Sequence, residues 1–294
     1  MVLPVIGPVA APGIHVMTFN IRRRSSRPGG PVADRWERRR ALVAEMLRAE
    51  RPAVLGIQEA MPDQADAVAL ALGDTYRRLG RGREREGRGE GCPIFVDTAR
   101  FEIIAHRQVA LSETPEVPGS RGWFAAAPRT AVVATLRDRA TGSVCDVVNT
   151  HFDHVSPLAR VRSAEQIRRM VVEAGRPAVV LGDLNAGAGS RPLRVLLGDS
   201  LLADAWSRAA VRRTPEWGTR PNYRRPRADA RRIDWLLVGG GIEVDVAAIN
   251  GEAVRGRWPS DHLPVQAALR LPPPSRSSRG PGDTGGVSRR HPAE

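Results

Sequence analysis

At 294 residues, with 41% hydrophobic and 26% charged side chains, the chain has the composition of a soluble globular protein with a substantial core, and no internal repeat suggests a solenoid or propeller. Two cysteines, Cys92 and Cys145, are too few for a disulfide framework or a zinc cluster, and no apolar run reaches the roughly 18 residues needed to span a bilayer. The net charge is +13 and all 45 basic residues are arginine, whose guanidinium forks suit phosphate oxygens and whose summed field attracts polyanions.

Residues 1–13 read as an apolar N-terminal extension with no basic residue ahead of its apolar run, a poor signal peptide. A cytoplasmic enzyme, monomeric and without a membrane span, is therefore expected. Ile14 to Ile21 is a strand that delivers Asn20 to its carboxyl end, and an arginine- and glycine-rich loop runs on to Pro31. Asp34 is placed to cap a helix from about Arg35 to Ala49, with Trp36, Leu42, Val43, Met46 and Leu47 on one face. Ala53 to Gln58 is a second buried strand ending in Glu59, followed by a helix over about Asp63 to Leu72.

Arg77 to Gly91, with six arginines, three glutamates and five glycines, reads as a mobile loop closed by Glu90, immediately before a strand over Cys92 to Val96. Phe101 to Leu111 is extended, and Ser112 to Pro128 is a long turn-rich connection. Thr130 to Leu136 and Ser143 to Thr150 pair as β runs across the turn at Ala140-Thr141-Gly142, the second ending in His151. Leu158 to Ala174 has helical periodicity. It leads into the apolar run Ala178-Val179-Val180-Leu181, an interior strand that presents Asp183 and Asn185 on one face of its carboxyl edge. A plain strand-to-turn transition is the other reading of that pair, since Gly, Asp and Asn are ordinary turn formers.

A small helix is expected near Pro192 to Leu197. Arg208 to Arg232 carries nine arginines against Glu216 and Asp229, and reads either as a phosphate-facing loop or as a solvated one. Ile233 to Val238, containing Asp234, and Ile242 to Ile249 are strands, and Ser260-Asp261-His262 precedes a last strand, Leu263 to Leu271. Residues 272–294 have almost nothing to bury and are expected to be a disordered Pro/Ser/Gly/Arg tail. The mixture of hairpin and crossover connections fits a layered α/β domain, and no glycine-rich nucleotide fingerprint appears.

Polar residues thus terminate buried strands repeatedly: Asn20, Glu59, Glu90, His151, Asp183, Asn185, Asp234, Asp261 and His262. Catalytic groups sit where rigid strands end, so the recurrence says more than any one member. His154 is read as supporting the His151 loop or acting beside it, and His15, His106 and His291 are given no role.

The segments MTFNIR, IQE, NTHFDH, GDLNA, RIDWLLV and PSDHLPV stand in the order of the motifs of the endonuclease/exonuclease/phosphatase (DNase I-like) superfamily. The resemblance covers residues 14–271 as one catalytic domain. It implies a four-layered α/β sandwich, two packed mixed β-sheets flanked by helices, and metal-dependent hydrolysis of phosphate esters. By position, Glu59 resembles the family's principal Mg²⁺ ligand, with Asn20 and Asp261 beside it, and Mn²⁺ is the alternative cation. The same resemblance makes Asp183 the acid that activates the attacking water and Asn185 the amide that holds the scissile phosphate. It makes His262 the donor to a non-bridging oxygen, its tautomer fixed by Asp234, and His151 a second catalytic histidine oriented by Glu90. Arg129 is similar to a substrate-side arginine.

NTHFDH places the chain nearer the DNase I, phosphatase and sphingomyelinase branches than the AP endonucleases, and the lack of a long apolar hairpin counts against a sphingomyelinase. A phosphodiesterase or nuclease-like hydrolase is the first expectation, supported by the arginine-rich segment and the positive charge. A phosphomonoesterase acting on a small sugar or inositol phosphate is the second, and an inactive nucleic-acid-binding module on the same scaffold the third.

Overall fold

The computed structural model describes residues 3–25 and 32–274. The end of the first glycine-rich loop, 26–31, and the tail from 275 onward lie outside the described residues. In chain order the elements are β1 (Ile14–Asn20), α1 (Trp36–Glu50), β2 (Val54–Gln58), α2 (Pro62–Leu72), β3 (Tyr76–Leu79), β4 (Ile94–Asp97) and β5 (Phe101–Ala110). They continue with β6 (Thr130–Asp138), β7 (Val144–His151), α3 (Pro157–Ala174), β8 (Ala178–Asp183) and α4 (Arg191–Leu197). The last are β9 (Ala203–Asp204), α5 (Ala205–Arg208), β10 (Val211–Arg212), β11 (Asp234–Gly239), β12 (Glu243–Ile249) and β13 (Val265–Arg270).

Two mixed sheets result, one of seven strands in the order β10-β12-β13-β1-β2-β4-β3 and one of six in the order β5-β6-β7-β8-β11-β9. Their central strands are buried on both faces, and the pleat sorts the side chains. Val16, Val54, Leu181 and Leu236 point into the space between the sheets. Their neighbours Met17 and Leu55 pack with Met46 of α1 and Val68 of α2, while Val180 and Leu237 pack with Ile167 of α3 and Leu193 of α4. The layers are helix, sheet, sheet, helix, as the resemblance implies.

Polar side chains staple the sheets near their shared rim. Asn149 Nδ2 donates to the carbonyls of Ile57, Cys92 and Pro93 at 2.9, 2.9 and 3.0 Å, and Gln58 Nε2 donates to Asn149 Oδ1 at 2.7 Å. Side chains of the facing sheet pack so closely on β2 that a Cβ on Gly56 would lie 2.0 Å from Leu181 Cδ1.

Two local expectations are corrected. Asp34 does not cap α1: it ends a short 3₁₀ turn, Arg35 holds the cap position without a side-chain bond, and the Asp34 carboxylate instead accepts from Arg22 and Tyr223. Arg77 to Gly91 is not a loose loop. It opens with β3 and closes on itself through Gly82 N to Gly87 O, Arg83 N to Glu90 O and Glu84 N to Arg88 O, at 3.0 to 3.1 Å. The repeated glycines that suggest looseness supply the positive φ of Gly80, Gly87 and Gly89 that these tight turns need.

Candidate active site

Register brings the acids together. β7 and β8 run parallel with His151 opposite Asp183, and β11 runs antiparallel to β8 with Asp234 opposite the same Asp183. One row across three strands therefore holds His151, Asp183 and Asp234. In the other sheet β1 and β2 are parallel with Asn20 opposite Gln58, which puts Glu59 beside Asn20. The Ser260 hydroxyl donates to the Asn20 carbonyl at 2.6 Å and ties the Asp261-His262 segment to the same rim. The two rims meet where Asn20 Nδ2 donates to Glu59 Oε1 and to Asp183 Oδ2, each at 3.0 Å.

Three of the residues here hold a left-handed backbone: Arg22, Glu59 and Asn185, with φ of 57°, 60° and 47°. Such conformations cost about 1–3 kcal/mol each in a non-glycine residue and cluster where function sets the geometry. At Asn185 the turn lets its own N–H donate to Asp183 Oδ1 at 2.9 Å, while Asn185 Nδ2 donates to the Phe152 carbonyl at 3.0 Å.

The charges follow from burial and partners. Asp183 is buried, and that burial, with Asp234 close by, pushes its carboxyl up to about 7. Burial alone would lower His262, but Asp234, accepting from Nδ1 at 2.9 Å, outweighs it and holds the imidazole up at about 10. His262 is therefore an imidazolium, with Nε2 3.8 Å from Asp183 Oδ2. His151, with Nε2 3.6 Å from the same oxygen, is driven well below its ordinary range by burial and by Arg129. Burial would raise Glu59, yet the imidazoles of His151 and His262, the N–H of Arg23 and the amide of Asn20 hold it at about 2. Because His151 is neutral near pH 7, His262 is the imidazolium that acts on Glu59 there.

Glu59, Asp183 and His262 each place a ligand atom within 4.8 Å of the others, a group that could hold a metal ion. An imidazolium has no lone pair to give, so the oxygens are the usable donors. One guanidinium, that of Arg22, lies 3.7 Å from Glu59 Oε2 and 3.9 Å from Asp261 Oδ2, so both carboxylates face a common cationic position. Carboxylate and amide oxygens of this kind fit a hard divalent cation.

The pocket over these groups has a volume of about 250 Å³. Glu59, Glu90, His151, Asp183, Asn185 and His262 line it, together with five arginines: Arg22, Arg23, Arg83, Arg129 and Arg220. Arg129 is fixed by Asp153 Oδ2, 3.3 Å from its Nε, and by His154 Nδ1, which accepts from Nη2 at 2.9 Å. Glu90 is in the pocket and is paired with arginines. Its carboxylate meets Arg83, with Arg23 at 3.5 Å and Arg129 at 3.9 Å, and no hydrogen bond joins it to His151 among the described residues.

The arginine-rich segment 208–232 contributes Arg220 to the pocket. Others of its arginines bond elsewhere: Arg212 to the carbonyls of Trp206 and Ser207, Arg213 to that of Val5, Arg227 to Asp229, and Arg232 to Asp204 while stacked on Trp235. Sequence reasoning missed Arg22, Arg23 and Arg83. The signal was adjacency, since the first two follow the strand-ending Asn20 and the third precedes Glu90 by seven residues.

Two stacked mixed sheets with acids and imidazoles at one rim, beneath a ring of guanidinium groups, define a phosphate ester hydrolase. The chain belongs to the endonuclease/exonuclease/phosphatase family, which residues 17–262 match. A mannosyl-6-phosphatase of Bacteroides thetaiotaomicron is similar in structure, with a TM-score of 0.80 and 30% identity over 87% of this chain and 99% of that one. A family protein from Bacteroides vulgatus has a TM-score of 0.81 and 31% identity over 88% and 99%. Protein angel of Drosophila melanogaster is 27% identical over 180 residues, 55% of this chain, and the match spans 47% of that relative's length. No helix among the described residues is long and apolar enough to cross a membrane.

Proposed function

We propose that the protein is a Mg²⁺-dependent phosphomonoesterase that removes phosphate from a small phosphorylated sugar. The observation that carries this reading is the pocket of about 250 Å³ above Asp183. Its size lies at the small end of ligand cavities, and it is lined by charged groups suited to a phosphate. The similarity to a mannosyl-6-phosphatase supports the same choice. Of the nine arginines of segment 208–232 that favour a polynucleotide substrate in the sequence, Arg220 lines the pocket, while Arg212, Arg213, Arg227 and Arg232 are bonded away from it.

In this reading Glu59, with Asn20 and Asp261 beside it, holds the cation, and Mn²⁺ could replace Mg²⁺ there. A bound divalent ion supplies charge neutralisation at the phosphate and at the leaving oxygen. The chain's own residues do the rest. Asp183, held at both oxygens by Asn185 N–H and Asn20 Nδ2, accepts a proton from water, whose oxygen bonds to phosphorus as the P–O bond to the sugar oxygen breaks. His262 enters as an imidazolium, fixed through Nδ1 on Asp234, and gives Nε2–H to a non-bridging oxygen whose charge grows. Asn185 has a second amide N–H free for the same phosphate once the first is on Phe152. His151 is the neutral imidazole beside the base, and Arg129 grips the substrate.

The test is a panel of sugar monophosphates, a phosphodiester and plasmid DNA, each assayed with Mg²⁺, Mn²⁺ and EDTA. Turnover of a sugar monophosphate, lost in EDTA and restored by Mg²⁺, is expected. Cleavage of plasmid DNA without action on the monoesters would overturn the monoesterase reading in favour of the nuclease.

A further inference from the structure

We infer that Arg23, Arg83 and Arg129 form a second anion subsite beside the reaction centre, and that the substrate is a small phosphate ester carrying a second phosphate group. This rests on the reading of the pocket as a phosphate ester site and narrows it.

The three guanidiniums converge on one carboxylate, Glu90, which is buried. With Asp153 also paired to Arg129, three guanidiniums face two carboxylates, and one positive charge is left locally uncompensated. Arg83 and Arg129 are 15% and 4% exposed, and holding such cations without a fully matched set of anions costs several kcal/mol. Arg129 is the most telling. It is 4% exposed, its Nε and Nη2 are committed to Asp153 and His154, and its Nη1 is buried with no hydrogen-bond partner among the described residues. A rigidly held guanidinium with a spare donor, lining the pocket, is one acceptor short. The Arg83 side of the cluster is equally fixed, because the Arg83 N–H donates to the Glu90 carbonyl at 3.0 Å and closes the loop that carries both.

Position separates this cluster from the phosphate under attack. His151 stands between the two, with Nε2 3.6 Å from Asp183 on one side and its ring lining a void shared with Arg83, Glu90 and Arg129 on the other. That void is about 10 Å³, room for one water at most, so a larger acceptor reaches the guanidiniums from the main pocket, which all three line. An anion held there lies roughly one imidazole away from the reacting phosphorus and belongs to another substituent of the same small molecule. Three planar donor forks around one point suit the tetrahedral oxygens of a phosphate better than a single planar carboxylate.

The experiment compares glucose 6-phosphate, glucose 1,6-bisphosphate and 6-phosphogluconate as substrates of the full chain with Mg²⁺. It also measures their binding by calorimetry to the Asp183→Asn protein. The bisphosphate is expected to exceed the monophosphate about tenfold or more in kcat/KM and in affinity, the scale of a charged hydrogen bond. Arg83→Met should lower that ratio and Glu90→Gln should raise it, opposite signs that misfolding does not produce. Equal affinities for mono- and bisphosphate, or ratios that do not respond to either substitution, overturn the inference. Preference for 6-phosphogluconate reassigns the subsite to a carboxylate and overturns the phosphate assignment. Selective binding without turnover of any of the three would leave the subsite standing and sink the proposed activity instead.

Discussion

Asp183 concentrates the chemistry and the cost of the site in one side chain. Its carboxyl titrates at about 7 in the fold, against an ordinary value of 3.8, because burial comes first and Asp234 adds to it. A folded value above the unfolded one means that the protonated acid favours folding at low pH. That contribution is lost as pH rises from 3.8 through 7, and above 7 the fold carries the full burden of a buried carboxylate. Asparagine keeps an oxygen for the N–H of Asn185 and removes the charge. Asp183→Asn is therefore expected to stabilise the protein at pH 8, on the order of 2–4 kcal/mol, and by less at pH 5. Thermal scans of the two proteins at both pH values check this. A variant no more stable than the parent at pH 8 would show that Asp183 is not held under that strain and that no stability is exchanged for reactivity at this position.

The strands position the site by pairing, and two sheets must be locked at one height for their rims to meet. Asn149 on β7 does that locking, since it is buried, its amide donates to the carbonyls of Ile57 on β2 and of Cys92 and Pro93 just before β4, and it accepts from Gln58. The expected outcome for Asn149→Ala is a loss of about 2–4 kcal/mol, since buried acceptors lose their donor and a cavity opens. Urea unfolding with an unchanged m-value would report it. A cost below about 0.5 kcal/mol would place the joint between the sheets elsewhere. This contact also shows what the sequence could and could not reveal. The apolar runs and the polar residues ending them were legible from period and composition, which is why Asn20, Glu59, Asp183, Asp234 and His262 were found. The sheet-to-sheet role of Asn149, two residues before His151, was hidden, because only tertiary register aims it across the gap. Arg83 and Glu90 sit on a segment whose glycines suggest looseness but instead close a hydrogen-bonded turn. Their mutual pairing depends on that closure.

At the scale of the whole molecule, net charge was the least discriminating feature. An excess of 13 positive charges points to polyanions in general, yet arginines of segment 208–232 are spent on carbonyls, acids and an indole inside the fold. Those that line the pocket come from separate stretches, residues 22–23, 83, 129 and 220, and no local pattern could have grouped them. The same long-range convergence makes the catalytic claim testable as a unit: residues from both sheets have to act on one phosphorus, with Asp183 as the base between them. The most direct measurement is kcat/KM of Asp183→Asn on a turned-over sugar phosphate at pH 8 with saturating Mg²⁺, its fold checked by circular dichroism. Loss of a positioned base predicts a fall of about 10²- to 10⁴-fold. A folded variant that keeps activity within a few-fold of the parent would contradict the account.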